Sequence, residues 1–186
     1  MPTFIVLGVG VWYFTQPGAD KNKDSDKPVP VARDVEGTKY FDIVGRAHIT
    51  SGTPGSGFNS NPPTSGNHWP APAKNGVYDK QLPDEQLIHN MEHGYIWVSY
   101  KPCSPTPEAT ASPTPGVCAS DDVVKQLKGI VEADSWKMVL EPRGRDDGMI
   151  ALAAWGRLLN LDNADYSKVK DFIKTYRNRG PEKTPD

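Results

Sequence analysis

Two histidines stand four residues apart in the stretch HNMEHG, at His89 and His93. On a helix, that spacing puts two imidazoles ~40° apart around the axis and ~6 Å along it. Both can then reach one cation, which is why the spacing recurs in metal sites. The other two histidines, His48 and His68, also lie in the first half of the chain. His68 sits in a long irregular stretch and can close a third position. His48 can supply a fourth ligand or support one of the other three. The competing reading is four histidines that are partly exposed or satisfied inside a core.

The same residues fit the pattern H-x-x-E-H, in which two histidines hold zinc and the glutamate activates a zinc-bound water. That would make Glu92 a general base. The helix is short, and no downstream helix offers an acidic ligand in motif form. The preferred role for Glu92 is therefore a carboxylate that fixes the tautomer of a ligand histidine. Methionine bears on the choice of metal. Met91 lies between the two histidines and Met149 opens a later apolar run. Both read first as core residues. A thioether beside the imidazoles would favour copper, because soft sulfur suits Cu(I). Without one, three histidines and a water suit zinc or Cu(II) about equally.

These side chains must be positioned by elements that the pattern outlines. Pro83, Asp84 and Glu85 open a helix that Gly94 can end. YIWVSY, residues 95–100, reads as a strand. A Ser/Asp start and the spacing of Val123, Leu127, Ile130 and Val131 give a second helix. SWKMVLEPR reads as a strand, RGRDDG as a turn, and MIALAAWGRLL as a strand returning beside it in a hairpin. Val169, Phe172, Ile173 and Tyr176 share one face of a closing helix. Residues 51–76 are almost pure turn chemistry, although Phe58, His68 and Trp69 within them favour order. The fold class expected is α+β: one loop-rich domain with a small mixed sheet, a short histidine-bearing helix and a C-terminal helix.

The 17 glycines and 18 prolines among 186 residues lie well above the usual share. The formal charge of −2 argues against nucleic acid as a partner. Residues 2–15 carry no charge and are mostly apolar, which reads as a membrane anchor, or part of one, over 1–16. Residues 17–35 are polar and proline-bearing, and read as a tether to a globular domain over 36–182. Cys103 and Cys118 bracket a Pro/Thr/Ser-rich insert at 104–117, as a disulfide at its neck would. Such a bridge implies an oxidising compartment.

The stretch running from FNSNPPTSGNHWP through HNMEHGYIWVSY, with GRAHI before it and IALAAWGRLL and FIKTYRNRGPE after, resembles a bacterial family known only as domain of unknown function 3105. The resemblance covers residues 36–182 and implies that His48, Asn61, Ser65, His68, His89, Glu92 and His93 belong to one recurring polar set. It also implies an N-terminal anchor in the bacterial cell membrane with the domain on the extracytoplasmic side. Met91 departs from the leucine usual there, and the cysteine-flanked insert is not a general feature. The resulting expectation is a membrane-anchored, extracytoplasmic metal-binding protein. Its metal is copper, or alternatively zinc, held by His68, His89, His93 and His48. Its role is carriage, storage or support of a larger membrane protein complex, and membrane lipid is met through the N-terminal segment. The alternatives are a zinc hydrolase and a non-catalytic accessory subunit.

Overall fold

The structure, a computed structural model, describes residues 26–103 and 117–184. The expectations of a helical anchor, and of the interior of the cysteine-flanked insert, fall outside these residues. Among the described residues no helix is long and apolar enough to cross a membrane. The elements are β1 (Lys39–Tyr40), β2 (Gly76–Val77), α1 (Asp84–Glu92), β3 (Ile96–Tyr100), α2 (Asp121–Ala133), β4 (Met138–Pro142), β5 (Ile150–Ala154), β6 (Arg157–Leu161) and α3 (Tyr166–Tyr176). They form a mixed α+β domain around one six-stranded sheet in the order β1-β6-β5-β3-β4-β2.

Strand alternation divides the interior in two. Ile96, Val98, Leu140, Ile150 and Leu152 face α2 and α3, meeting Leu127, Val131, Val169 and Phe172. Trp97, Val139, Ala151, Ala153 and Leu158 face the opposite way and meet Leu87, Ile88 and Met91 of α1. Both faces are covered, so every residue of β3 is buried. The α2 and α3 starts are capped by Ser120 and Asp165, whose side chains accept from the amides of Val123 and Lys168. Each such cap contributes about 1 kcal/mol.

The hairpin expected between SWKMVLEPR and MIALAAWGRLL does not form. β4 pairs in parallel with β3, and β5 pairs antiparallel with the other edge of β3, so β3 lies between them. The α2 crossover makes the parallel pairing possible. The apolar run itself splits at Trp155 and Gly156, whose φ of +68° suits a glycine turn. β5 and β6 are the hairpin instead. Cys103 and Cys118 are joined in a disulfide, and the amide of Ala119 donates to the Lys101 carbonyl at 2.7 Å beside it. Residues 26–35, from the stretch read as a tether, lie against the domain: Val35 is buried in the α2/α3 core, and Trp155 Nε1 donates to the Asp26 carbonyl at 2.8 Å.

At the N-terminal end of α1 the domain buries charge. Arg143 is 1% exposed and forks onto Asp84, with Nη2–Oδ2 at 2.9 Å and Nε–Oδ1 at 3.3 Å. Its Nη1 reaches Asp146 at 2.5 Å and Asn61 Oδ1 at 2.7 Å. Nearby Glu141 is pushed up to about 8 by burial, against the pull of the Leu82 amide that donates to it. Replacing Arg143 with Ala leaves buried Asp84 with Arg145 alone and buried Asp146 with only the Ser99 hydroxyl, and removing one partner of a buried pair costs about 3–5 kcal/mol. Urea unfolding of that variant should show a loss of this size, whereas Lys128→Ala, which breaks an exposed pair with Asp79, should lose less than about 1 kcal/mol.

Candidate metal centre

α1 carries the site because its two long faces do different work. Leu87, Ile88 and Met91 are fully buried against the sheet. His89 and His93 turn toward the irregular chain instead. Pro83 precedes the first helical residue, where a missing N–H costs nothing. Gly94, at φ +84°, ends the helix immediately after His93. Asn90 then clamps the long loop onto the helix, accepting from the Ala73 amide and donating to the Ala73 carbonyl, both at 2.8 Å. The Trp69 amide also donates to the Glu85 carbonyl at 3.2 Å.

Without regular secondary structure, the loop uses a short run of ladder bonds to meet the preceding segment. Gly66 N donates to Gly45 O at 3.0 Å, His68 N to Ala47 O at 3.1 Å, and Ile49 N to His68 O at 2.8 Å. This pairs His48 with His68 as an isolated parallel bridge. Ser65 is buried and accepts from the Val44 amide. The outcome is three imidazoles in a near-equilateral array, with centroid separations of 5.0 Å for His48–His68, 5.0 Å for His48–His89 and 5.1 Å for His68–His89. One ligand atom from each lies within 4.8 Å of the others. A tetrahedral ion bonded at ~2.0–2.1 Å requires donors roughly 3.4 Å apart, so modest side-chain rotation closes the trio. This cluster can coordinate a metal ion. His68 and His89 are buried, and His48 is the exposed member.

Tautomers follow from the acceptors. His89 Nδ1 meets the Trp69 carbonyl at 2.6 Å and His68 Nδ1 meets the Gly66 carbonyl at 2.9 Å. A carbonyl only accepts, so both Nδ1 atoms carry protons; His89 Nε2 is turned to the site, while His68 Nε2 faces Glu92 Oε2 at 3.1 Å and must leave it to ligate an ion. Burial pushes the His89 imidazole below its usual value, and neighbouring His93 and His68 add to that, against the Trp69 hydrogen bond. Neutral imidazole is the ligating form.

His93 stands outside the trio. Its Nε2 lies 3.2 Å from His89 Nε2 and 3.4 Å from Glu182 Oε2. Glu92 is 1% exposed, with Oε2 at 3.1 Å from His68 Nε2 and Oε1 at 2.8 Å from Arg46 Nε. Burial works to raise its carboxyl, but the His68 hydrogen bond and the charges around it prevail and hold it below the usual carboxylate range. Met91 packs in the core under α1, and Met149 packs against the core on the opposite face of the sheet. Of the recurring polar residues, Asn61 serves the Arg143 cluster at the other end of α1, donating to Arg145 O at 2.7 Å.

Two residues of this centre escaped the sequence reading. Arg46 joins Glu92, Asp26 at 2.9 Å and Glu182 at 2.6 Å. Glu182 arrives because the segment after α3 crosses the end of α1 so closely that a Cβ on Gly180 would lie 2.2 Å from the Glu92 carbonyl. The only hint was their place, in GRAHI and in RGPE, within stretches that carried the resemblance.

The family model described as "Protein of unknown function (DUF3105)" matches residues 51–111 and 114–186. The chain belongs to this family. The matched residues include His68, His89, Glu92, His93 and Glu182, while His48 and Arg46 precede them. No curated protein and no solved structure matches the chain.

The shifts of His89 and Glu92 set an acid dependence for the metal-free protein. The folded state disfavours charge on His89, so its contribution is complete above the ordinary histidine value, ~6.5, and is lost as pH falls below that. Glu92 is favoured as the carboxylate, so its contribution is present above the ordinary value, ~4.3, and is lost as pH falls through its lowered one. Stability measured by urea unfolding should therefore fall in two stages on acidification. His89→Gln should flatten the upper stage and leave the lower.

Proposed function

We propose that this protein is a membrane-anchored, extracytoplasmic metal-binding protein whose ion is copper, serving carriage, storage or support of a membrane complex. The observation that carries the reading is the convergence of His48, His68 and His89 on one point. Two of the three already have their other nitrogen fixed by a backbone carbonyl, the arrangement that orients ligand histidines. The donor set is imidazole, without thioether, since both candidate methionines are engaged in packing. Imidazole accepts Cu(II) and Zn(II), and Cu(II) binds more tightly to a given nitrogen site. The disulfide fits an oxidising compartment, and the uncharged residues 2–15 fit an anchor.

Binding without turnover is favoured over zinc hydrolysis by the state of Glu92. Arg46 holds one of its oxygens, the other lies against His68 Nε2, and the carboxylate is sealed from solvent. A general base for hydrolysis needs access to water and substrate, which this burial withholds.

Copper and zinc titrations at pH 7 test this reading. Wild type should bind Cu(II) more tightly than Zn(II). His68→Ala or His89→Ala should abolish tight binding. Glu92→Gln should weaken it, because it removes a buried negative charge beside the ion, and Met149→Leu should leave it unchanged. Equal, weak binding by wild type and His89→Ala would defeat the proposal.

A further inference from the structure

The face of the sheet away from the histidines has an unfilled groove. A cavity of about 660 Å³ separates α2 from α3. Ile130, Met138 and Ile173 line it with apolar surface, and Lys170, Lys174, Arg177 and the carboxylate of Asp134 line it with charge. Lys170 and Lys174 are exposed and one turn apart on α3. Arg177 is held across the groove's end by Asp134 at 2.8 Å and donates to the Trp136 carbonyl at 3.1 Å. Trp136 itself is 44% exposed, among the few large apolar side chains so placed. An apolar trough, a charged lining of three cations to one carboxylate, and an exposed tryptophan complement an amphiphile with an anionic head.

The strand register fixes where this groove opens. Ile96 pairs with Met138, and Trp97 pairs with both Val139 and Ala153. Trp136, just before β4, and Trp155, just after β5, therefore lie at the same end of the sheet. Trp155 holds Asp26, the first described residue, through its carbonyl. Asp26 is thus held at the end that carries Trp136 and Arg177, on the histidine side of the sheet. Only ten residues, 16–25, intervene between it and the uncharged residues 2–15, a length of chain that reaches at most about 40 Å.

We infer that the α2–α3 groove and Trp136 form a docking surface for an anionic lipid bilayer, which seats the domain on the membrane. Lysine and arginine near such a surface attract its negative potential, and tryptophan favours the interface between headgroup and acyl chain. The inference rests on the anchoring part of the reading above and is independent of the metal.

The test uses the full chain mixed with vesicles of phosphatidylcholine alone or with added phosphatidylglycerol, at about 0.1 M salt, where charges act over about 10 Å. Brief lysine acylation read by mass spectrometry should slow roughly ten-fold at Lys170 and Lys174 on the anionic vesicles, the scale expected for cations held at a charged surface. Lys39, on the far edge of the sheet, should change little. Brominated acyl chains should quench tryptophan emission on anionic vesicles, and both Trp136→Phe and Lys170→Gln/Lys174→Gln should reduce that quenching. Equal lysine protection on both vesicle types, quenching unaffected by either variant, or protection by soluble polyglutamate in place of lipid would overturn the inference. Failure of the chain to remain on pure phosphatidylcholine would count against the anchor alone, because the free protein still meets the anionic vesicles.

Discussion

The Glu92 carboxylate is the constraint on which the histidine centre rests. It is buried and still holds its charge, because Arg46 and His68 each engage one of its oxygens. Burial of an unpaired carboxylate would cost several kcal/mol, so neither partner can leave without the other being reorganised. Arg46 comes from the segment before the long loop, His68 from the loop, and Glu92 from α1. One ionic junction therefore fixes three pieces of chain, and Glu182 joins it from the C-terminal end. Much of this chain lacks the repeating hydrogen bonds of a helix or strand. Its order comes from side chains that answer backbone groups one at a time, such as Asn90 on Ala73 and Ser65 on Val44.

α1 carries such a junction at each end. Asp84 receives Arg143 and Arg145 at its start, and Glu92 receives Arg46 at its finish. Between them a stripe of Leu87, Ile88 and Met91 seats the helix on Trp97 and Val139. A nine-residue helix is too short to be stable alone. Its packing and its two charged ends hold it, and this rigidity lets His89 meet imidazoles from two irregular segments. The disposition of both faces of the sheet follows from the same plan. One face is committed to α1 and the loops that build the histidine centre, while the other carries α2 and α3 and leaves a basic-rimmed groove between them.

The α+β class, the three helices and the pairing of the cysteines were legible in the sequence, because each depends on local pattern. Val123, Leu127 and Val131 recur at helical period, as do Val169, Phe172 and Tyr176. The convergence of the imidazoles was legible only in outline. The spacing of His89 and His93 is fixed by the helix, yet the third member of the array is His48, brought in by a three-bond ladder between residues 45–49 and 66–68. No periodicity announces so short a ladder in a stretch of glycine, proline and asparagine. Arg46 and Glu182 were invisible for a related reason, since 136 residues separate them and neither belongs to a motif with a fixed offset.

Strand order also lay beyond local pattern. SWKMVLEPR and MIALAAWGRLL are adjacent in the chain and joined by turn residues, which favours a hairpin on local grounds. The structure places β3 between them because its two edges accept β4 in parallel and β5 antiparallel, burying a strand that is apolar on both faces. Sequence by itself determined the three helices and their apolar faces, the apolar segments that supply the longer strands, and that histidines and one carboxylate concentrate around α1, because those properties depend on side chains a few positions apart. Only the tertiary structure decided which histidines meet, which cation holds Glu92 in its charged form, and how strands distant in sequence pair. Those outcomes are set by contacts between segments distant in sequence, whose closure depends on how the two faces of the sheet are filled.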